Sequence, residues 1–360
     1  MLKQQRLTGV DLFRGIAVYA VIILHSDEGI PVLPAGWAQI LEFSCFAVPF
    51  FLATSFYLAI AKIYASGRFQ LNLRLQRLLI PYAFWSVFYL CYKAAKYLVS
   101  NQPERLYVLS QDPFALIFCG GAAFHLYFLS LLITGTILIK FVEIWIKNKI
   151  ELKVLTSLFV LSLIGYEILI VSDNNFSNIS GVAFQSLLNS ILPSGNFNPL
   201  LRLILVVFAW TIRCLPYIFL ALLLNHPRLS QYLPRFNRKN AIALLLIFLT
   251  LNIFGNYFLP QGIEEVIIGY AALLSAIYLS VILPESLMIL NLGVCSFGIY
   301  LIHLLIVEIF QMVSKRVYPI LLTQPSLFSL LIVVTLTFLI SWMLTSISLK
   351  RQLVSRWKLI

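Results

Sequence analysis

The chain has 360 residues, of which 61% are hydrophobic and only 11% are charged, and its mean hydropathy is +0.93. This balance excludes an ordinary soluble protein, in which about a quarter of the residues are charged. The apolar runs are continuous and about 20 residues long, so they predict membrane-spanning α-helices rather than the alternating strands of a β-barrel. The net charge of +12 does not indicate nucleic-acid binding, because the basic residues cluster in short loops between the apolar runs.

Ten predicted spans indicate an all-α polytopic membrane protein. We expect one transmembrane domain over residues 1–360, without a soluble extracytoplasmic domain. The tails and loops on the side of the N-terminus carry 17 Lys and Arg residues, whereas the opposite loops carry three. This asymmetry predicts that both termini are cytoplasmic. The predicted spans cover roughly 10–28, 37–61, 78–99, 123–146, 154–172, 200–225, 241–259, 265–283, 290–312 and 326–348.

The first span, VDLFRGIAVYAVIILHSDE, contains Arg14 and His25. Eleven residues of helix bring the two side chains to within about 20° of one face, roughly 16 Å apart along the axis. An arginine at this depth is a functional candidate, and histidine is the commonest general base. Asp11 has the spacing to pair with Arg14, and either Asp27 or Glu28 can orient the imidazole. The structural alternative is an ion pair that fixes helix packing beside a histidine wetted by lipid headgroups.

Three further ionisable residues lie in or beside predicted spans. His125 begins HLYFLSLLI at the outer end of span four, where, for this residue alone, an interfacial aromatic belt is the favoured explanation. His303 lies well inside span nine. Arg213 lies in the middle of span six, three residues before Pro216, and this combination indicates a cavity. The alternative is an arginine that reaches the carbonyls of a neighbouring helix.

No pattern in the sequence predicts a tightly bound cofactor or a metal ion. There is no glycine-rich phosphate loop, GxSxG or HExxH, and the five cysteines are scattered without a CxxC. A phosphate-bearing ligand would therefore be held by Arg and Lys side chains. The candidate is the basic stretch of Arg68, Arg74 and Arg77 before span three, which positive-inside anchoring explains equally well.

Five segments resemble, in order, motifs of the acyltransferase-3 family of integral-membrane O-acyltransferases. Arg14, ten intervening residues and His25 resemble its Arg-x10-His signature. The other four segments are VPFFLATSFYLA (48–59), RLQRLLIPYAFW (74–85), HLYFLSLL (125–132) and FGIYLIH (297–303). The resemblance covers most of the chain and implies the ten spans typical of the family.

The resemblance implies transfer of an acyl group, acetyl in particular, from acyl-CoA to a hydroxyl of a cell-surface polysaccharide or lipid-linked sugar. His25 then acts as general base or acyl relay, and Arg14 or Arg213 holds the CoA phosphates. The resemblance thus implies acetyl-CoA as donor substrate, with the glycan acceptor and the lipid bilayer as the other partners. A bacterial plasma (inner) membrane suits this activity. The alternative function is a transporter or flippase for a lipid-linked glycan or small anion, with Arg14, Arg213, His25 and His303 along its path.

Overall fold

A computed structural model describes residues 6–148, 150–171, 199–231, 236–317 and 323–357. These residues form helices, turns and loops, and no strand occurs among them. Ten helical segments among these residues are long and apolar enough to cross a membrane, which confirms the ten predicted spans and the all-α multi-pass fold. The cytoplasmic location of the termini stays a prediction, and residues 1–5 and 358–360 lie outside the described part of the chain.

Helices account for the spans because a backbone in hydrocarbon must satisfy its own hydrogen bonds. The second span consists of two helices, α2 and α3, and a 3₁₀ turn at Phe124–Leu126 leads into the fourth. The helices are α1 (Thr8–Ser26), α2 (Trp37–Ser44), α3 (Ala47–Ser66), α4 (Leu71–Val99), α5 (Glu104–Ser110), α6 (Pro113–Phe118), α7 (Tyr127–Lys147), α8 (Leu152–Val171), α9 (Pro199–Asn225), α10 (Pro227–Ser230), α11 (Arg238–Phe254), α12 (Gln261–Leu279), α13 (Leu287–Val317) and α14 (Leu327–Trp357).

Two helix starts differ from the predicted boundaries in a way that affects the candidate site. Helix α4 begins at Leu71 rather than at 78, so Arg74 and Arg77 lie on a helix and not in a basic loop. Helix α12 begins at Gln261 rather than at 265, directly after Pro260, a residue suited to a helix start. Hydropathy locates the apolar core of a span, whereas these helices extend into polar flanks whose long side chains reach water.

The described residues form two compact units. The first unit comprises Met1–Phe51, Pro234–Leu259 and Ile267–Ile360, and the second comprises Leu52–Leu233 and Pro260–Val266. In the first unit, α1 lies against α13, and α14 contacts both helices. In the second unit, α9 packs against α7 and α8, while α4 packs against α7.

Glycines allow α1 to approach its neighbours closely within the first unit. A Cβ atom on Gly9 would lie 2.0 Å from the carbonyl oxygen of Ala276 in α12, and a Cβ atom on Gly293 in α13 would lie 2.4 Å from Oδ1 of Asp11. The amide of Gly9 also donates to Oγ of Ser280 over 3.0 Å. Small residues at such crossings are how membrane helices gain packing energy. They place the polar residues of α1 directly against α13.

The turn before α7 is held against α4 within the second unit. The hydroxyl of Tyr82 donates to the carbonyl oxygen of Ile117 over 2.8 Å and accepts from the amide of Gly120 over 3.0 Å. Gly120 has φ +78°, and a Cβ atom there would lie 2.4 Å from the backbone nitrogen of Tyr127. Both features favour glycine at this position. The turn therefore has a defined position, and so does His125 within it.

Candidate active site

Helix α1 is continuous, so Arg14 and His25 lie on one face and about 16 Å apart along the axis. The side chain of Arg14 is 33% exposed and that of His25 is 20% exposed. Most of the surrounding helix is buried, including Val18 and Ile22, which have no exposed surface. The two polar groups are therefore partly accessible on a helix that is mostly packed.

The carboxylate of Glu28 lies within hydrogen-bonding distance of His25. Nδ1 of His25 lies 3.2 Å from Oε1 of Glu28, whereas Oδ2 of Asp27 accepts a hydrogen bond from Nε1 of the buried Trp37 over 3.2 Å. The sequence left both acidic residues as candidates, and the geometry places Glu28 in the orienting position. A neutral imidazole that donates from Nδ1 carries its basic lone pair on Nε2.

A second histidine lies directly against His25. The ring centroids of His25 and His303 are 5.6 Å apart, with 27° between the ring planes. His303 has no exposed surface, and its Nδ1 lies 2.6 Å from the carbonyl oxygen of Tyr300, which accepts from it. The sequence marked His303 as a candidate without predicting this contact. Helix α13 thus brings FGIYLIH against the end of the Arg-x10-His segment.

The predicted pairing of Asp11 with Arg14 is confirmed, and Asp11 has a further partner. Oδ1 of Asp11 lies 3.4 Å from Nη1 of Arg14, and Oδ2 accepts from Nε of Arg6 over 2.6 Å. The Asp11 side chain is 5% exposed, while those of Arg6 and Arg14 are 50% and 33% exposed. Two cations share one carboxylate, so this group carries net positive charge at a partly open position. A phosphate is the type of ligand that such a group attracts.

Arg213 belongs to the second unit, where it is paired with an acidic residue that the sequence analysis missed. Its Nη2 donates to Oε1 of Glu265 over 2.5 Å, and the Tyr217 hydroxyl donates to the same oxygen over 3.2 Å. The hydroxyl of Tyr166 also bonds the Glu265 carboxylate. Glu265 escaped notice because the predicted span began at that residue, although α12 starts one turn earlier. Helix α9 continues through Pro216 beside this ion pair.

His125 also belongs to the second unit and is only 1% exposed. Its ring centroid lies 5.2 Å from that of Tyr89 and 6.0 Å from that of Phe124. The interpretation as a residue of an exposed aromatic belt is therefore wrong. Packing of α7 against α4 buries the ring.

The basic stretch before span three does not form one exposed patch. Nη2 of Arg74 donates to the carbonyl oxygen of Ser55 over 3.0 Å and to its Oγ over 2.6 Å, and Nε donates to Oγ1 of Thr136 over 3.3 Å. Arg74 therefore links α3, α4 and α7, whereas Arg68 and Arg77 are exposed. Only the two exposed arginines have the accessibility that a phosphate contact requires.

The structure pairs the sequence motifs within each unit. Arg74 of the 74–85 segment bonds Ser55 of the 48–59 segment, and His303 of the 297–303 segment stacks on His25. The ten long apolar helices of the described residues define a polytopic membrane protein, and these ionisable residues lie on or beside those helices. The family model described as an acyltransferase domain, acyltransferase-3, matches residues 7–346. The chain belongs to this family and is a membrane acyltransferase, as the resemblance implied.

The comparisons with curated proteins and with solved structures gave no match.

Proposed function

We propose that this acyltransferase transfers an acetyl group from acetyl-CoA to a hydroxyl of a cell-surface polysaccharide or lipid-linked sugar, in the plasma membrane of a bacterium. The observation that carries the proposal is the contact between Nδ1 of His25 and the Glu28 carboxylate. Family membership supports the acyl-transfer chemistry. The contact holds the imidazole by its Nδ1, and acyl transfer to a hydroxyl needs a positioned base of this kind.

In this mechanism His25 is the general base. Nε2 takes the proton from the sugar hydroxyl while the hydroxyl oxygen attacks the thioester carbonyl carbon. A carbon–oxygen bond forms, the carbon–sulfur bond breaks, and the departing CoA sulfur takes the proton from the imidazolium. Glu28 holds the Nδ1 hydrogen and stabilises the imidazolium, as a carboxylate does for a catalytic histidine. His303 stacks on the imidazole ring of His25 and helps to hold it in place.

Arg14 is the donor-binding residue in this proposal. The predicted topology places Arg14 towards the cytoplasmic half of α1, the side on which acyl-CoA is made. Its guanidinium is partly exposed and shares Asp11 with Arg6, so it can take a CoA phosphate without leaving a buried charge unpaired. Arg213 is committed to Glu265 and to its tyrosine neighbours. The pantetheine arm then covers the roughly 16 Å between Arg14 and His25.

The test is to measure acetyl-CoA binding and acetyl transfer by the purified full-length protein in lipid nanodiscs. We expect His25→Ala to bind acetyl-CoA normally and to lose about 10²- to 10⁴-fold in turnover, the usual contribution of a general base. We expect Arg14→Ala to weaken binding roughly 10- to 100-fold, the value of a charge-assisted hydrogen bond. His226→Ala is the matched control, because His226 caps the short helix α10 and lies outside the proposed site.

Three results would change the proposal. Normal turnover by folded His25→Ala would remove the catalytic role of His25. A labelled acetyl group retained on the protein without acceptor would identify an acyl relay instead of direct transfer. No acetyl-CoA binding by folded wild-type protein would exclude acetyl-CoA as donor and favour a transporter or flippase.

A further inference from the structure

Near its C-terminal end, α7 carries two lysines that share one buried carboxylate. Nζ of Lys140 donates to Oε2 of Glu143 over 2.6 Å, and Nζ of Lys147 donates to Oε1 over 2.8 Å. The side chain of Glu143 is only 5% exposed, whereas those of Lys140 and Lys147 are 48% and 58% exposed. One lysine is enough to neutralise the carboxylate, so the cluster carries a surplus positive charge on its exposed side.

The dipole of the helix accounts for only one of these lysines. Lys147 is the last residue of α7, where a cation stabilises the carbonyl end of a helix. Lys140 lies about two turns earlier, beyond the last turn to which that effect is confined. A lysine within a membrane span is costly unless it meets an opposite charge or the headgroup layer. Glu143 matches the charge of one lysine, and an anion from outside the protein would match the other.

Trp145 indicates the level of the membrane surface on this part of α7. Its indole stacks on the ring of Phe219 in α9, with the centroids 5.9 Å apart and 6° between the planes. Tryptophans of membrane proteins concentrate at the headgroup level, and long lysine side chains reach that level from within a span. Lys140 and Lys147 flank Trp145 in the chain. We therefore expect their ammonium groups to lie at the level of the lipid phosphates.

The exposed face of α7 continues from the lysines into the apolar layer. Ile137, Phe141 and Ile144 are exposed, and their spacing of four and three residues places them on one side of the helix. Lys140 and Lys147 are exposed as well and belong to the same stripe. An exposed apolar stripe on a membrane-spanning helix is a surface for lipid chains. A lipid that lies along this stripe brings its phosphate towards the two lysines.

We propose that this face of α7 is a binding site for an anionic phospholipid. The lipid phosphate accepts hydrogen bonds from both ammonium groups, and the acyl chains lie along the apolar stripe. An ammonium group has three hydrogens, and the contact with Glu143 uses one of them, so each lysine keeps hydrogens for the phosphate. Because Glu143 holds both ammonium groups at one place, a single phosphate can contact the two.

The surplus charge favours a lipid with a net negative charge. A zwitterionic lipid balances its phosphate with its own ammonium group, whereas an anionic lipid leaves that charge for the protein to match. The predicted topology places this lipid in the cytoplasmic leaflet. Binding of the lipid does not depend on acetyl transfer, so the site stands or falls separately from the proposed function.

The test is native mass spectrometry of the full-length protein, purified in detergent and titrated with lipid. The probes are phosphatidylglycerol, which is anionic, and phosphatidylcholine, which is zwitterionic, with identical acyl chains. Lys140→Gln and Lys147→Gln each remove the surplus charge, yet they leave Glu143 paired with the remaining lysine, so the fold is retained. Lys140→Arg keeps the charge. Lys239→Gln is the matched control, because Lys239 is an exposed lysine of α11 on the same predicted side of the membrane.

We expect the wild type to bind phosphatidylglycerol at least about fivefold more tightly than phosphatidylcholine. Each glutamine variant should lower the affinity for phosphatidylglycerol about fivefold, the value of one lysine at a membrane surface. The affinity for phosphatidylcholine should not change. Lys140→Arg and Lys239→Gln should both match the wild type.

Three results would overturn this proposal. Equal affinity of the wild type for the two lipids would mean that the lysines do not select an anionic lipid. An equal loss in Lys239→Gln would indicate a general effect of surface charge instead of a site at Glu143. Loss of acetyl-CoA binding in the glutamine variants, with lipid binding unchanged, would assign the two lysines to a soluble phosphate.

Discussion

Two aspartates, one in each unit, are almost fully buried and paired with arginine, yet their surroundings differ. Asp11 in the first unit is 5% exposed, but its partners Arg6 and Arg14 are 50% and 33% exposed. Asp112 in the second unit is 3% exposed, and its partner Arg202 in α9 is 4% exposed. Asp112 also caps the start of α6 by accepting from the amide of Ala115 over 2.8 Å. The ion pairs of Asp11 are accessible to solvent, whereas the pair of Asp112 with Arg202 is sealed, meaning that both side chains are buried.

This difference separates an ion pair that can bind a ligand from one that can only support the fold. A sealed pair has lost its water, so removal of one partner leaves a buried charge uncompensated. At Asp11, either arginine can turn towards an anion while the other still neutralises the carboxylate. The presence of two partly exposed cations at Asp11 is thus what makes Arg14 available to a phosphate.

The largest expected effect is on the free energy of unfolding, when one arginine of each ion pair is removed and the two losses are compared. Arg202→Met should lower the free energy of unfolding by about 3–5 kcal/mol, because Asp112 is left buried without its partner. Arg6→Met should cost less than about 1 kcal/mol, because Arg6 is half exposed and Arg14 remains. Tryptophan fluorescence during unfolding in detergent measures both values.

The double variant Arg202→Met with Asp112→Asn is the control. It removes both charges and keeps the cap of α6, since asparagine caps helices as well as aspartate does. We expect it to recover most of the lost stability. Equal losses for Arg6→Met and Arg202→Met would abolish the distinction between the two pairs.

A smaller effect is expected from closing the space around Asp11. In Gly293→Ala the new Cβ would meet Oδ1 of Asp11 at 2.4 Å, so α1 and α13 must move apart. We expect a loss of about 1–3 kcal/mol in unfolding free energy, as for other overpacked sites, together with weaker acetyl-CoA binding. Thermal unfolding and a binding titration on the same sample measure the two effects.

Gly165→Ala in α8 is the matched control for this substitution. Its new Cβ would have as neighbour only Cγ2 of Ile212, at 4.0 Å. Alanine should therefore be neutral there or add up to about 1 kcal/mol through helix propensity. If Gly293→Ala proved equally neutral, the close packing of α13 on Asp11 would not be needed for folding or binding.

The smallest expected effect concerns the thiol beside the sealed pair. Burial, followed by the negative charge of Asp112, raises the pKa of Cys119 to about 12. The group titrates above pH 11, so at pH 8 only roughly one thiol in ten thousand is the reactive thiolate. Mass spectrometry should show Cys119 unmodified after N-ethylmaleimide treatment of the folded protein at pH 8.

Protein unfolded in dodecyl sulfate provides the control for this experiment, because the same thiol should then react. Rapid modification of Cys119 in the folded protein would show that this end of the second unit is open to solvent.

Those contacts of the site that form between residues of a single helix were predictable from the sequence. The spacing of Arg14 and His25 placed them on one face, and the spacing of Asp11 and Arg14 predicted their contact, which the structure confirms. The stacking of His303 on His25 was not predictable, because it depends on how α13 packs against α1. Arg74 looked like part of a basic patch, but packing of α4 against α7 turns its side chain inward.

Hydropathy and charge by themselves determined the class of the protein, its ten spans and the two principal candidate residues. Apolar length and helical periodicity are local properties, and the sequence displays them directly. Tertiary structure decided which carboxylate meets which base or cation: Glu28 rather than Asp27 at His25, Glu265 at Arg213, and Asp112 at Arg202. These choices depend on which helix faces approach one another, and close packing at small residues such as Gly9 and Gly293 sets that approach.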